Sequence, residues 1–197
     1  MRRTIWLAAS TLALALIGGC GSSSGGTAAP DTTPPSDTAS QPTASPSMAA
    51  STRPREIKLD GKDPCGLISA QQRAKFSIER EPRPGTSDAF KASNCSFSTK
   101  VGVYRITAVT TEGVEAWRSG NRTGKAEEQQ PIAGFPAIAV TLPNDDRSCS
   151  VAVDVADGQY LYSTAQVDKG KESELPAMCE AARQFAEAAM TTLTASS

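Results

Sequence analysis

The 197-residue sequence contains no histidine. That absence removes the commonest general base, the commonest metal ligand and the Ser–His and Cys–His pairs of nucleophilic catalysis. No Ser-x-x-Lys occurs, so lysine-activated serine chemistry lacks its motif. The five cysteines include no Cys-x-x-Cys, the spacing of dithiol redox sites and of many zinc sites. No apolar run approaches the ~20 residues that a membrane-spanning helix needs. Neither sign of charge is in excess, with 20 basic residues against 21 acidic ones. That balance argues against nucleic acid or another polyanion as partner, since those need clustered positive charge. No cofactor or metal motif is present.

What is there begins with an address. Met1-Arg2-Arg3 precedes an uncharged stretch from Ile5 to Ile17, the layout of a secretory signal peptide. Arg2-Arg3 lacks the fuller twin-arginine consensus, so general secretion is the default. Ile17-Gly18-Gly19-Cys20 resembles the lipobox of bacterial lipoproteins. The resemblance implies cleavage after residue 19 and a thioether-linked diacylglycerol on Cys20. Two buried acyl chains hold a protein on a bilayer where one is marginal. The expected location is therefore the extracytoplasmic face of the cell membrane. Loss of 1–19 removes two basic residues and no acidic one, so the mature chain carries a net −3.

Gly21 to Pro54 is Gly, Ser, Thr, Ala and Pro except at Asp31, Asp37, Gln41, Met48 and Arg53. Such a composition buries too little apolar surface to offset its ordering entropy, and reads as a tether. Gly21-Ser22-Ser23-Ser24-Gly25 matches the nucleophile elbow in letters only, having no strand before it and no helix after it. Arg53, Arg55 and Lys58 read as a solvated linker end. The expected organisation is a signal peptide over 1–19, a lipidated tether over 20–58 and a globular domain over 59–197.

With Cys20 assigned to lipid, Cys65, Cys95, Cys149 and Cys179 remain, an even count that reads as two structural disulfides in an exported domain. Ser69 and Gln72 form a capping box, so a helix begins at Ala70, just after Cys65. Cys95 and Phe97 share one face of a strand. Cys149, Val151, Val153 and Val155 alternate with polar or small residues as a half-buried strand. Asp157-Gly158 is a hairpin signal, and the returning strand runs to about Val167. Cys179, Ala182, Phe185, Ala186, Ala189 and Leu193 then recur at helical spacing. Further strands are expected over Val101–Val109 and Ala137–Leu142, and a helix from Thr110 or Thr111 through Val114 and Trp117. The order is helix, strands, helix, strands, helix. It implies an α+β fold, an antiparallel β-sheet with helices packed against it. Each half offers a helix-side and a strand-side cysteine. The economical pairing is Cys65–Cys95 with Cys149–Cys179, giving two helix-to-sheet disulfides. Cys65–Cys179 with Cys95–Cys149 stays open, because opposed cysteines on neighbouring strands can also bridge.

On these residues the chain resembles a family of actinobacterial lipoproteins, the domain of unknown function 3558. The resemblance rests on the lipobox and tether, Asp63-Pro64-Cys65-Gly66-Leu67-Ile68, the cysteine with an aromatic residue two positions on, Gly134-Phe135-Pro136-Ala137, the Cys149 strand and hairpin, and Cys179-Glu180-Ala181-Ala182. Phe97 stands where the family often has tryptophan. The family implies no activity, cofactor or catalytic residue.

Candidate sites are few. Asp145, Asp146, Asp154 and Asp157 lack the alternating ligands of a calcium loop. Nothing places any two of Glu79, Glu81, Glu127 and Glu128 across a cleft as acid and base. Asn94-Cys95-Ser96 and Asn121-Arg122-Thr123 match the glycosylation sequon, which in a bacterial lipoprotein is chance. Among the aromatics, Trp117, Tyr160 and Tyr162 would form a binding surface if exposed beside a groove. The expected function is a non-catalytic envelope lipoprotein that binds a protein, glycan or small apolar ligand. The alternative is a hydrolase of envelope polymers using paired carboxylates.

Overall fold

The computed structural model describes residues 53–174 and 177–197. The expected signal peptide, Cys20, the expected tether up to residue 52, and Leu175 and Pro176 lie outside the described residues. Seven strands form one antiparallel sheet: β1 (Arg83–Ser87), β2 (Ala92–Ser98), β3 (Gly102–Val109), β4 (Lys125–Ile132), β5 (Phe135–Thr141), β6 (Ser148–Ala156) and β7 (Gln159–Val167). Their order is β1-β2-β3-β7-β6-β5-β4. Two meanders, β1–β3 and β4–β7, thus meet along β3 and β7, from Gly102↔Val167 to Val109↔Tyr160. The helices are α1 (Ala70–Lys75), α2 (Glu115–Arg118) and α3 (Met178–Ala195). The α+β expectation holds in class and in element order.

Local chemistry explains most of these elements. The capping box is complete: Ser69 Oγ accepts from Gln72 N–H at 3.3 Å, and Gln72 Oε1 accepts from Ser69 N–H at 2.8 Å. Gly158 takes φ +69° in the turn between β6 and β7. Gly102 permits a close approach of β3 to β7, since a Cβ there would lie 2.1 Å from the Gln166 carbonyl oxygen.

Alternation gives the sheet two chemically distinct faces. The inner face carries Cys95, Phe97, Tyr104, Ile106, Val151, Val153, Val155 and Leu161 beneath α3. α3 lays Ala182, Phe185, Ala186, Ala189, Met190 and Leu193 on it. Phe185 is central, stacked on Tyr104 at 4.6 Å and edge-on to Phe97 at 5.3 Å. Ser163, the polar residue of this face, is buried and donates to the Ala182 carbonyl at 2.9 Å. Both disulfides fasten the same face. Cys149–Cys179 ties β6 to α3 with Cα atoms 4.9 Å apart, and Cys65–Cys95 ties β2 to a 3₁₀ turn at Pro64–Leu67 with Cα atoms 5.0 Å apart. The economical pairing is the one formed. One bridge reaches an α-helix, and the other reaches the 3₁₀ turn ahead of α1.

Several boundaries differ from expectation. Both edge strands, β1 and β4, were absent from the sequence reading. Arg83-Pro84-Gly85-Thr86-Ser87 and Lys125–Ile132 are largely exposed and show no apolar alternation. Edge strands of this polar, proline-bearing kind resist pairing with other chains and so lack a core signature. α2 is one short turn, because Gly113 and the exposed run after Arg118 leave it few helix-forming residues. Leu142 lies beyond β5 and is exposed. The packed body starts before Leu59: Ile57 is buried and its N–H donates to the Val155 carbonyl at 2.8 Å.

Candidate functional site

The outer face of the sheet divides into a covered half and an open half. Residues 110–124, including α2, cross the end of the sheet nearest the β6–β7 hairpin and close the covered half. Beneath them Phe90, Val109, Ile138, Val140, Ala152, Tyr160 and Tyr162 form a second core. Trp117 plugs it, lying parallel to Tyr162 at 5.6 Å. Its indole N–H donates to the Tyr160 hydroxyl at 3.1 Å, and that hydroxyl donates to Glu112 at 2.8 Å. Arg122 completes the closure, pairing with Glu112 at 2.8 Å and lying 4.5 Å over the Phe90 ring. Burial, and then Glu112, push the Tyr160 hydroxyl far above the ordinary tyrosine range. Burial also pushes the Tyr162 hydroxyl up to about 12, against the pull of Ser150. Both therefore act as neutral hydrogen-bonding groups at physiological pH.

The condition set for an aromatic binding surface, exposure beside a groove, is not met by these three rings. Trp117, Tyr160 and Tyr162 are 6%, 0% and 7% exposed. Their rings gain more by packing on one another under the 110–124 segment than by facing water. Gly124 fits that segment against β5, because a Cβ there would sit 3.1 Å from the Trp117 ring and 3.2 Å from the Thr141 carbonyl oxygen.

The acidic candidates disperse. Asp154 and Asp157 are both held by Arg53, with Arg53 Nη1 to Asp154 Oδ1 at 2.6 Å. Arg53 is thus half-buried and paired with the domain rather than solvated at a linker end. Burial holds the Asp154 carboxyl above its usual range despite Arg53. Asp145 caps the turn before β6, accepting from Arg147 N–H and from the Ser148 hydroxyl. Glu79, Glu81, Glu127 and Glu128 each meet a different cation: Lys100, Arg73, Lys125 and Arg118. No group of three metal-ligating side chains exists among the described residues. Nor is any helix among them long and apolar enough to cross a membrane. An open cleft of about 470 Å³ lies at the β1–β2 edge, between the Leu59–Pro64 loop and the start of β2.

The open half of the outer face has a different composition. One row of directly opposed residues runs Arg83, Ser96, Arg105, Thr164, Ser150 across β1, β2, β3, β7 and β6. Arg105 Nε donates to Ser96 Oγ at 3.2 Å, and Ser150 and Thr164 share a hydrogen bond of 2.9 Å. Beside this row lie Ser98, Val103, Gln166 and Ser148. Ser96, Arg105, Thr164 and Gln166 are half-buried, and nothing among the described residues covers them. The sequence reading did not single out Arg105. A signal existed: Arg105 alternates with Tyr104 and Ile106, and so shares the face opposite the core.

A family model described as "Protein of unknown function (DUF3558)" matches residues 15–192. No curated protein and no solved structure matches.

Proposed function

The chain belongs to the DUF3558 family of proteins of unknown function, and from that premise we propose that it is a non-catalytic binding module held by lipidated Cys20 at the extracytoplasmic face of the membrane. The observation that carries the binding reading is the uncovered polar half of the outer sheet face. It is built on strands rather than loops, and the sheet beneath it is fastened twice by disulfides. A rigid scaffold of that kind holds polar groups in fixed positions for a ligand. The two bridges suit an oxidising compartment. Hydrolysis by paired carboxylates would need two acids converging on one bond, and the four glutamates considered for it are each engaged with a separate cation.

Metabolic labelling with a fatty acid tests the anchor. The parent protein incorporates label and the Cys20→Ser variant does not. Equal labelling of the two would defeat the anchor, and turnover of an envelope polymer that one Glu or Asp substitution abolished would defeat the non-catalytic reading.

A further inference from the structure

Two half-buried arginines, Arg105 and Arg147, make no ion pair among the described residues, and of the two Arg105 alone lies within a strand. Arg53, Arg73, Arg118, Arg122 and Arg183 each pair with a carboxylate. Arg105 stands on β3, three strands in from one edge of the sheet, and is half-buried. Among the described residues its guanidinium donates only through Nε, to Ser96. Opposed to Ser96 and Thr164, it belongs to the open half of the outer face, and its two terminal nitrogens meet no carboxylate among the described residues. A half-buried guanidinium is normally matched by an anion, because its hydrogen-bonding fork is otherwise left to water.

The surroundings narrow the class of anion. The edge left free by the Nε bond presents two parallel N–H donors, which fit a planar carboxylate. Arg83 shares the row but lies two strands away, about 9.6 Å at the usual strand spacing. One carboxylate therefore meets one guanidinium. Around it the face offers hydroxyls and an amide: Ser96, Ser98, Ser148, Thr164 and Gln166. Val103 is the one apolar side chain among them, and a protein partner needs a buried apolar centre. A net charge of −3 on the mature chain disfavours a long, densely charged polyanion but not a short or sparsely charged one.

We infer that the open half of the outer sheet face binds a saccharide bearing a carboxylate, with Arg105 taking the carboxylate and the flanking Ser and Thr hydroxyls taking the sugar hydroxyls. This rests on the reading of the domain as a binding module.

The test titrates the full-length protein, purified in detergent, with trigalacturonate, its neutral methyl ester, and the acidic tripeptide Glu-Glu-Glu. Backbone amide shifts locate the site and calorimetry gives the affinity. The expected result is trigalacturonate binding with shifts centred on β2, β3 and β7, and at least tenfold weaker binding of the ester. Arg105→Gln weakens binding at least tenfold. Arg105→Lys, which keeps the charge and loses the fork, falls between. Thr164→Glu, which places a carboxylate beside Arg105, abolishes binding. Unchanged thermal melts for all three variants exclude misfolding as the cause. Equal binding of the ester, indifference to Arg105→Gln, or shifts centred on the Leu59–Pro64 cleft would overturn the inference. Tighter binding of the tripeptide with the same Arg105 dependence would overturn the saccharide assignment while leaving the binding module intact. No binding of any probe to this face would overturn both.

Discussion

Replacing Arg53 with methionine removes the cation that pairs with Asp154. The Arg53 side chain is 8% exposed and that of Asp154 14%, with 2.6 Å between Nη1 and Oδ1. Asp157, the second partner, is 88% exposed and adds little, as surface pairs do. Breaking a fully buried pair costs about 3–5 kcal/mol, because one charge is left without compensation. Asp154 is only partly desolvated, so the expected loss is about 2–3 kcal/mol. For a body of about 150 residues that lowers the melting temperature by roughly 6–10 °C. The loss depends on pH with a definite sign. Burial already holds the Asp154 carboxyl above its usual range, and Arg53 opposes that shift. Without Arg53 the folded-state pKa rises further above the unfolded value of about 3.9. A carboxyl raised in this way favours the folded state at low pH and loses that contribution as pH climbs through its folded pKa. The penalty of Arg53→Met is therefore small near pH 3.5 and full at pH 7. Thermal melts followed by circular dichroism at the two pH values measure it. Adding Asp154→Asn should recover most of the loss at pH 7 and little at pH 3.5. A penalty equal at both pH values, or below about 0.5 kcal/mol at pH 7, would refute the reasoning.

Three further outcomes are expected. Gly102→Ala drives a methyl group against the Gln166 carbonyl oxygen and should cost at least about 2 kcal/mol in denaturant unfolding; an unchanged midpoint would mean that β3 and β7 can part without cost. Ala133 holds φ +52° in the β4–β5 hairpin turn, so Ala133→Gly or →Asn should raise stability by about 1 kcal/mol, read as a higher unfolding midpoint. Trp117→Ala removes the plug over Tyr162 and the donor to Tyr160, and should cost about 3–5 kcal/mol and open residues 119–124 to limited proteolysis, a pattern that would not appear if the segment were held by its ion pairs alone.

The legible parts of the fold were those whose physics is local. Ser69 and Gln72 announce α1 by mutual capping, Asp157-Gly158 announces a hairpin, and the stripe from Cys179 to Leu193 can face only a core. Those same elements favour the cysteine pairing that forms, but the alternative closes only when the strands and helices are assembled. β1 and β4 were not legible because an edge strand owes its conformation to hydrogen bonds with its neighbour, and Gln129 and Glu128 carry no mark of that. The fate of Trp117, Tyr160 and Tyr162 turned on whether residues 110–124 fold back over them. That depends on Arg122 meeting Glu112 across ten residues and on Gly124 yielding space. Arg105 was placed on the outer face by alternation, yet its lack of a carboxylate partner appears only when all seven strands are assembled.

The four cysteines after Cys20 are bridged in chain order, Cys65 with Cys95 and Cys149 with Cys179, over 30 residues in both cases. A chain oxidised in the order in which it emerges, N-terminus first, therefore meets the correct partner before any wrong one exists. Cys95 appears when Cys65 is the one waiting thiol of the domain. Cys149 follows after that first pair can already have closed, and Cys179 finds Cys149 alone. Oxidation in that order by a simple dithiol oxidant would yield the native bridges without reshuffling.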